Sequence, residues 1–572
     1  MLFLKKLFVV IIKENNSNKA LMKILTIILI IITVGSASAK ENYEGLCSRV
    51  YKHISDTNIR KHVRYLAADS LKGRGTGTNE EILSAEYIAD QLENYGIKAL
   101  GDNNSFFQYV PMHGITPKSD SRLSIHSDSG IVAFSMYDDY IVYKSGATTY
   151  LPKPVEMVFV GYGISAPEFD YDDYQDVDVT GKIVVFIGGE PASEEASYFN
   201  GEVPTIYSSP EAKQRLALAH GAAGSIYIPS PDEQTPGYWE HIVNDLKFEY
   251  VTLAYSVSDN LSLAVNPESV NVLFLGSEHN IEEIYDMYYS NNIKTFKLSS
   301  KLEFRGKYIN REFKGRNVIG IVEGTDDELK NTYLIYSAHY DHLGIGPEIQ
   351  GDSIYNGLFD NALGCAGLLE IARLFSESEI KTKRSVIFIF VTGEEKGLLG
   401  SRYYLDTPQK PLYKTVANIN IDGLAAIDNF STIIPIGSYF STLEEFIAQS
   451  AESCDLKIEE FPDEFLESQS FNRSDQIAFA QAGIPSCMVL DGTFYKNIDR
   501  SYGLSLLYDY FNNIYHTPFD DLNQPINYSA SKQHIQYLFT LGFQIANSQK
   551  SPEWKEGVIY IQERLRTQSE KR

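Results

Sequence analysis

The chain has 572 residues, 43% apolar and 22% charged, enough for more than one hydrophobic core. A formal charge of −25 excludes a nucleic-acid partner, because gripping phosphates needs clustered Lys and Arg. Four cysteines in a chain this long exclude a disulfide scaffold and leave a single bridge open.

Lys23 precedes the apolar run Ile24–Val34, and Ala37 and Ala39 follow as a small-residue cleavage pattern. Together they predict a signal peptide over residues 1–39 and an exported protein, periplasmic or extracellular. The run is short for a bilayer span, so no stable membrane insertion is expected once the signal is removed.

From Glu80 to Tyr95 the apolar positions Ile82, Ala85, Ala89 and Leu92 recur at helical spacing, with Gly96 as a stop. The preceding "LAADSLKGRGTGT" reads as a helix end and a plain glycine-rich loop, since it lacks the third Gly and the Lys-Ser/Thr pair of a phosphate loop. Between about residues 120 and 300, short strand-like runs such as "VEMVFVGYG" and "GKIVVFIGG" alternate with acidic turn-rich stretches. A helix is expected after Ser209 as cap, with Pro210 at its first position. His220 and His241 lie far apart there and read as structural, so the block is an inserted β-rich domain without an obvious catalytic set. Beyond Leu302 the pattern becomes strand, loop, helix. "NVIGIVEG", "TYLIYSAH", "SVIFIFVTG" and "VANINID" are near-continuous apolar runs, the signature of strands buried on both faces. An α/β domain with a largely parallel sheet follows, in which Cys365 and Cys487 read as buried.

Ligands of open α/β sheets bind beyond the carboxyl ends of the strands, and polar residues collect there in this chain. "YLIYSAHYDH" ends in His339, Asp341 and His342; "SVIFIFVTGEE" in Glu394 and Glu395; "VANINID" in Asp422. Asp360 stands before a helix, and His516 lies near the last elements. Each alone is an ordinary cap or surface residue. Converging on one edge, imidazoles and carboxylates are the ligand mix for zinc or a similar divalent ion, which would also neutralise the adjacent glutamates.

Six stretches in order, "SAHYDHLG", "FDNALGCAGLLEIAR", "VTGEEKGLLGS", "NINIDGLA", "RSDQIAFAQAGIPS" and "YHTPFDDL", resemble the M28 family of zinc peptidases, mainly aminopeptidases. The block containing "FVGYGISAPEFDYDDYQDVDVTGKIVVFIGGEP" resembles the protease-associated (PA) domain. The resemblance implies a zinc-exopeptidase fold, a mixed, largely parallel sheet sandwiched by helices. It divides the chain into a catalytic domain at 40–119 and 301–550, an inserted PA domain at 120–300, and a tail at 551–572. It implies two Zn2+ ions, one held by His339, Asp360 and Asp422, the other by Asp360, Glu395 and His516. Glu394 would be the general base acting on a water between the ions, Asp341 would orient His339, and Tyr515 would help stabilise the oxyanion. His342 receives no role and reads as structural. Leu363 and Gln476 depart from the family's usual residues. A secreted aminopeptidase acting on peptides or proteins is thus expected. A glutaminyl-cyclase-like transferase and a non-catalytic receptor on the same scaffold are the alternatives.

Overall fold

The computed structural model describes Gly45 and residues 48–569, apart from 143–149, 194, 196, 200, 202–204, 257–259, 378–380 and 462–470. The expected signal peptide at 1–39 and Cys47 lie outside the described residues.

A ten-stranded sheet forms the larger body. At its centre lie four mutually parallel strands: β2 (Tyr333–His339), β3 (Ser385–Val391), β4 (Thr415–Asn420) and β5 (Ser486–Asp491), in the spatial order β3-β2-β4-β5. Antiparallel strands flank them, β1 (Tyr308–Val322) beside β3 and Thr432–Ile436 beside β5. The apolar runs explain this placement. Every residue of β2, β3 and β4 is buried. Alternate side chains of β3 serve two cores, Val386, Phe388 and Phe390 on one face and Ile387, Ile389 and Val391 on the other.

Helices cover both faces. On the first lie α1 (Asp56–Leu66), α2 (Asn79–Asn94), α3 (Leu363–Glu377) and α6 (Tyr528–Asn547). On the second are α4 (Leu399–Asp406) and α5 (Gln476–Gln481), through Tyr404 and Phe479. The start of α3 is buried all round, as a central helix must be. The expected tail docks on this body: the indole of the buried Trp554 donates to Gly483 O at 2.9 Å, and Ile561–Ser569 is helical.

A second, eight-stranded sheet is built from residues between Arg122 and Arg305, with its own cores on its two faces. Two details differ from expectation. Strand Thr295–Arg305 pairs wholly within this sheet and so runs across the expected boundary at 300. Strand Tyr250–Leu253 leaves it and pairs with Phe107–Pro117 in the large sheet. Ser209 precedes the helix Pro210–Ala219 but gives it no side-chain cap; its hydroxyl donates to Glu211 at 2.7 Å. His220 stacks on Tyr174. Cys454 is disulfide-bonded, whereas Cys365 and Cys487 are free and buried. Among the described residues no helix is long and apolar enough to cross a membrane.

Packing between α6 and β2 is tight enough to test. Tyr336 is fully buried and its hydroxyl donates to Leu538 O at 2.7 Å; a Cβ on Gly542 would lie 1.7 Å from that hydroxyl. Alanine gains about 1 kcal/mol in helix propensity, but overpacking costs about 1–3 kcal/mol and the displaced hydroxyl about 1 more. Gly542→Ala should therefore lower the thermal unfolding midpoint. An unchanged midpoint would mean that α6 can move aside.

Candidate metal centre

Parallel pairing puts the carboxyl ends of β2, β3 and β4 on one edge, with His339 opposite Val391 and Ser337 opposite Asn420. His339 ends β2, Glu394 and Glu395 follow β3, and Asp422 follows β4. Asp360 lies in the irregular turn leading into α3, and His516 follows the turn Tyr510–Ile514.

The structure brings all five expected ligands together. His339 Nε2 lies 3.1 Å from Asp360 Oδ1 and 3.1 Å from Asp422 Oδ1. His516 Nε2 lies 3.1 Å from Asp360 Oδ2 and 3.4 Å from Glu395 Oε2. Each imidazole nitrogen thus faces two carboxylate oxygens, and Asp360 contributes one oxygen to each group. A single proton on nitrogen bonds one oxygen well, whereas a cation among the three atoms satisfies all of them. Ligand atoms of His339, Asp360 and Glu395 all fall within 4.8 Å of one another. The donor set, imidazole nitrogen and carboxylate oxygen, suits zinc.

Charge makes the same demand. Among the described residues no Lys or Arg forms an ion pair with Asp360, Glu394, Glu395 or Asp422; the partners of Asp360, Glu395 and Asp422 are histidines. Burial works against charge on His339, but Asp422, Glu394 and Asp360 outweigh it and raise its pKa well above the ordinary value. Burial also pushes Glu394 well above the usual carboxylate range; Glu395, Asp475 and Asp422 push the same way, against His339. The side chain of Glu394 accepts no hydrogen bond from the described residues and is partly exposed. Solvent enters from the side of Asp422 and His516, whose side chains are 23% and 30% exposed, against 1% for His339.

Several supports escape sequence reading. Asp341 meets His339 Nδ1 with its backbone oxygen (3.2 Å), its carboxylate standing 3.9 Å away. The ring is thus met by the main chain of Asp341. The carboxylate instead accepts from Thr76 Oγ1 (2.8 Å) and from Glu394 N (3.2 Å), so it fixes the loop that carries both glutamates. Asp520 accepts from the backbone of Phe359 and Asp360, and Asn361 ties Ile421 O to Gly423 N on either side of Asp422. His342, expected to be structural, sits at the site with Nδ1 2.6 Å from Glu395 Oε1. Tyr515 stacks on His516, ring centroids 3.8 Å apart. Of the two departures, Leu363 is buried, and Gln476 hydrogen-bonds Asn420 and Phe471 O rather than any ligand.

Arg74 is the largest support. It is buried, and its guanidinium donates to the carbonyls of Leu66, Tyr340 (2.7 Å), Asn356 (2.6 Å) and Gly357 (3.0 Å). It thereby clamps the loops leading to Asp341 and Asp360. Arg74→Lys keeps the charge but not the planar fork, and with three donors for four carbonyls should leave at least one unsatisfied, at about 1–3 kcal/mol. A lowered midpoint in chemical unfolding is expected, and an unchanged one would overturn the clamp.

Residues 317–541, which include every expected ligand, match Peptidase family M28. A probable zinc metalloprotease of Pyrenophora teres f. teres is 34% identical over 18% of this chain and 22% of its own. Aminopeptidase YwaD of Bacillus subtilis is 28% identical over 31% of this chain and 36% of its own. The alignments thus span about a fifth to a third of these relatives. An aminopeptidase from Aneurinibacillus sp. strain AM-1 shares the fold, with a TM-score of 0.54 at 18% identity over 90% of this chain and 98% of that one. The match to peptidase family M28 is thus confined to residues 317–541, less than half of the chain.

Proposed function

We propose that the protein is an exported zinc exopeptidase that releases N-terminal residues from peptides and uses two zinc ions. The observation that carries this reading is the doubled donor set: two imidazoles, each facing two carboxylate oxygens, with Asp360 shared between them. His339, Asp360 and Asp422 would hold one ion, and Asp360, Glu395 and His516 the other. Relatives named zinc metalloprotease and leucine aminopeptidase support the metal and the reaction class. The apolar run before Ala39 and the disulfide at Cys454 fit an oxidising compartment outside the cytoplasm. The second sheet, with its own cores, is read as the PA domain.

Bound divalent ions at such a site supply positive charge that polarises a carbonyl and acidifies a water. Glu394 then accepts the proton from the attacking water, whose oxygen bonds the scissile carbonyl carbon. As the C–N bond breaks, the same carboxyl passes that proton to the leaving amine nitrogen. Asp341 holds the Glu394 backbone in place. Tyr515, neutral because burial and neighbouring carboxylates raise its pKa well above the ordinary value, can donate its hydroxyl to the oxygen that gains charge.

Metal analysis should find two zinc ions per chain, and aminoacyl anilides should be cleaved until a chelator is added. Glu394→Gln should keep both ions and lose about 100- to 10,000-fold in kcat. Full activity in that variant would refute the base, and a metal-free active protein would refute the whole reading.

A further inference from the structure

His342 sits behind Glu395 with a geometry that a merely space-filling residue would not need. Its side chain is fully buried, and its backbone N–H donates to Arg74 O at 3.2 Å. The ring approaches Glu395 Oε1 with Nδ1 at 2.6 Å, while Nδ1 stands 3.9 Å from Asp360 Oδ2. On the far side Nε2 has no hydrogen-bond partner among the described residues. Gly357 packs against the ring in a left-handed conformation (φ +60°), and a Cβ there would lie 2.6 Å from both Cδ2 and Cγ of the imidazole.

We infer that His342 is a positioning residue that selects which oxygen Glu395 offers to a metal. Nδ1–H donates to Oε1, and this leaves Oε2 as the oxygen facing His516 Nε2 at 3.4 Å. Without that bond Glu395 could rotate about its terminal torsion, which is soft, and present either oxygen or both. Partners behind a ligand commonly change metal affinity by about 10- to 100-fold. The inference rests on the two-ion reading, and it assigns the effect to the ion held by Asp360, Glu395 and His516 alone.

Three variants and a zinc titration test it. The side-chain nitrogen of Asn occupies the place of imidazole Nδ1, and that of Gln reaches to the place of Nε2. Apo-protein titrated with zinc against a chromophoric chelator should show two sites in the parent. His342→Ala should weaken one of them about 10- to 100-fold and leave the other within about threefold. His342→Asn should recover most of the loss, and His342→Gln should not. If the Ala variant fails to fold, the Asn and Gln pair decides alone. Two tight sites in His342→Ala, or rescue by Gln rather than Asn, would overturn the inference while leaving the peptidase reading intact. A parent that binds fewer than two ions would fail the two-ion reading and the inference with it.

Discussion

Too much negative charge is held at one sheet edge for the protein to satisfy by itself. Asp360, Glu394, Glu395 and Asp422 converge there, with Asp341, Asp475 and Asp520 buried behind them. Two like charges 4 Å apart repel by about 4 kcal/mol at the effective dielectric of a protein surface. The countercharge in direct contact is three imidazoles; Arg74, its donors spent on backbone carbonyls, attracts Asp341, Asp360 and Asp520 only through space. Protonation relieves part of the strain, as the raised pKa values of Glu394 and Asp475 show, the latter pushed by burial to about 7. Cations relieve all of it. The edge whose donors suit a metal is therefore also the edge whose repulsion a metal would relieve.

That edge was legible because it follows from local pattern. A strand buried on both faces reads as an unbroken apolar run; three of the four such runs lie parallel as β2, β3 and β4, whereas the first, in β1, pairs antiparallel with β3. Parallel strands put their carboxyl ends on one side, so His339, Glu394, Glu395 and Asp422, each at or just past a run, had to be neighbours. Periodicity says nothing about bonds to backbone atoms far away in the chain. Arg74 reaches carbonyls 266 to 283 residues distant from a stretch that looks like a plain loop. Asp520 likewise meets distant backbone N–H groups, and Thr76 and His342 meet distant carboxylates. Asp341 marks the boundary between the two kinds of knowledge: its place at the site was readable, but the atom that meets His339 was not, because backbone oxygen and carboxylate compete for one ring nitrogen at equal sequence distance.

The inserted block is part of this same support. Phe248, just before the strand that joins the large sheet, packs edge-on against Tyr355 and lies 5.4 Å beneath the ammonium of Lys396, the residue after Glu395. Beside it, Glu249 pairs with Arg311 on β1, whose other donors reach Thr76 O and Gly77 O at 2.8 Å. Thr76 in turn donates to Asp341, and Asp341 receives Glu394 N. The chain of contacts therefore runs from the second domain to the backbone of the proposed base.

Its energy is modest. The Glu249–Arg311 pair is partly exposed, and such pairs contribute about 0–1 kcal/mol. What the pair contributes is position. A carboxylate that must accept and return one proton depends on where its backbone sits, and that backbone is held by one carboxylate oxygen of Asp341. The other oxygen of Asp341 is held by Thr76, in a loop that Arg311 fastens to the sheet. The contacts thus link residues 248 and 249 to the backbone of the proposed base through Arg311, Thr76 and Asp341.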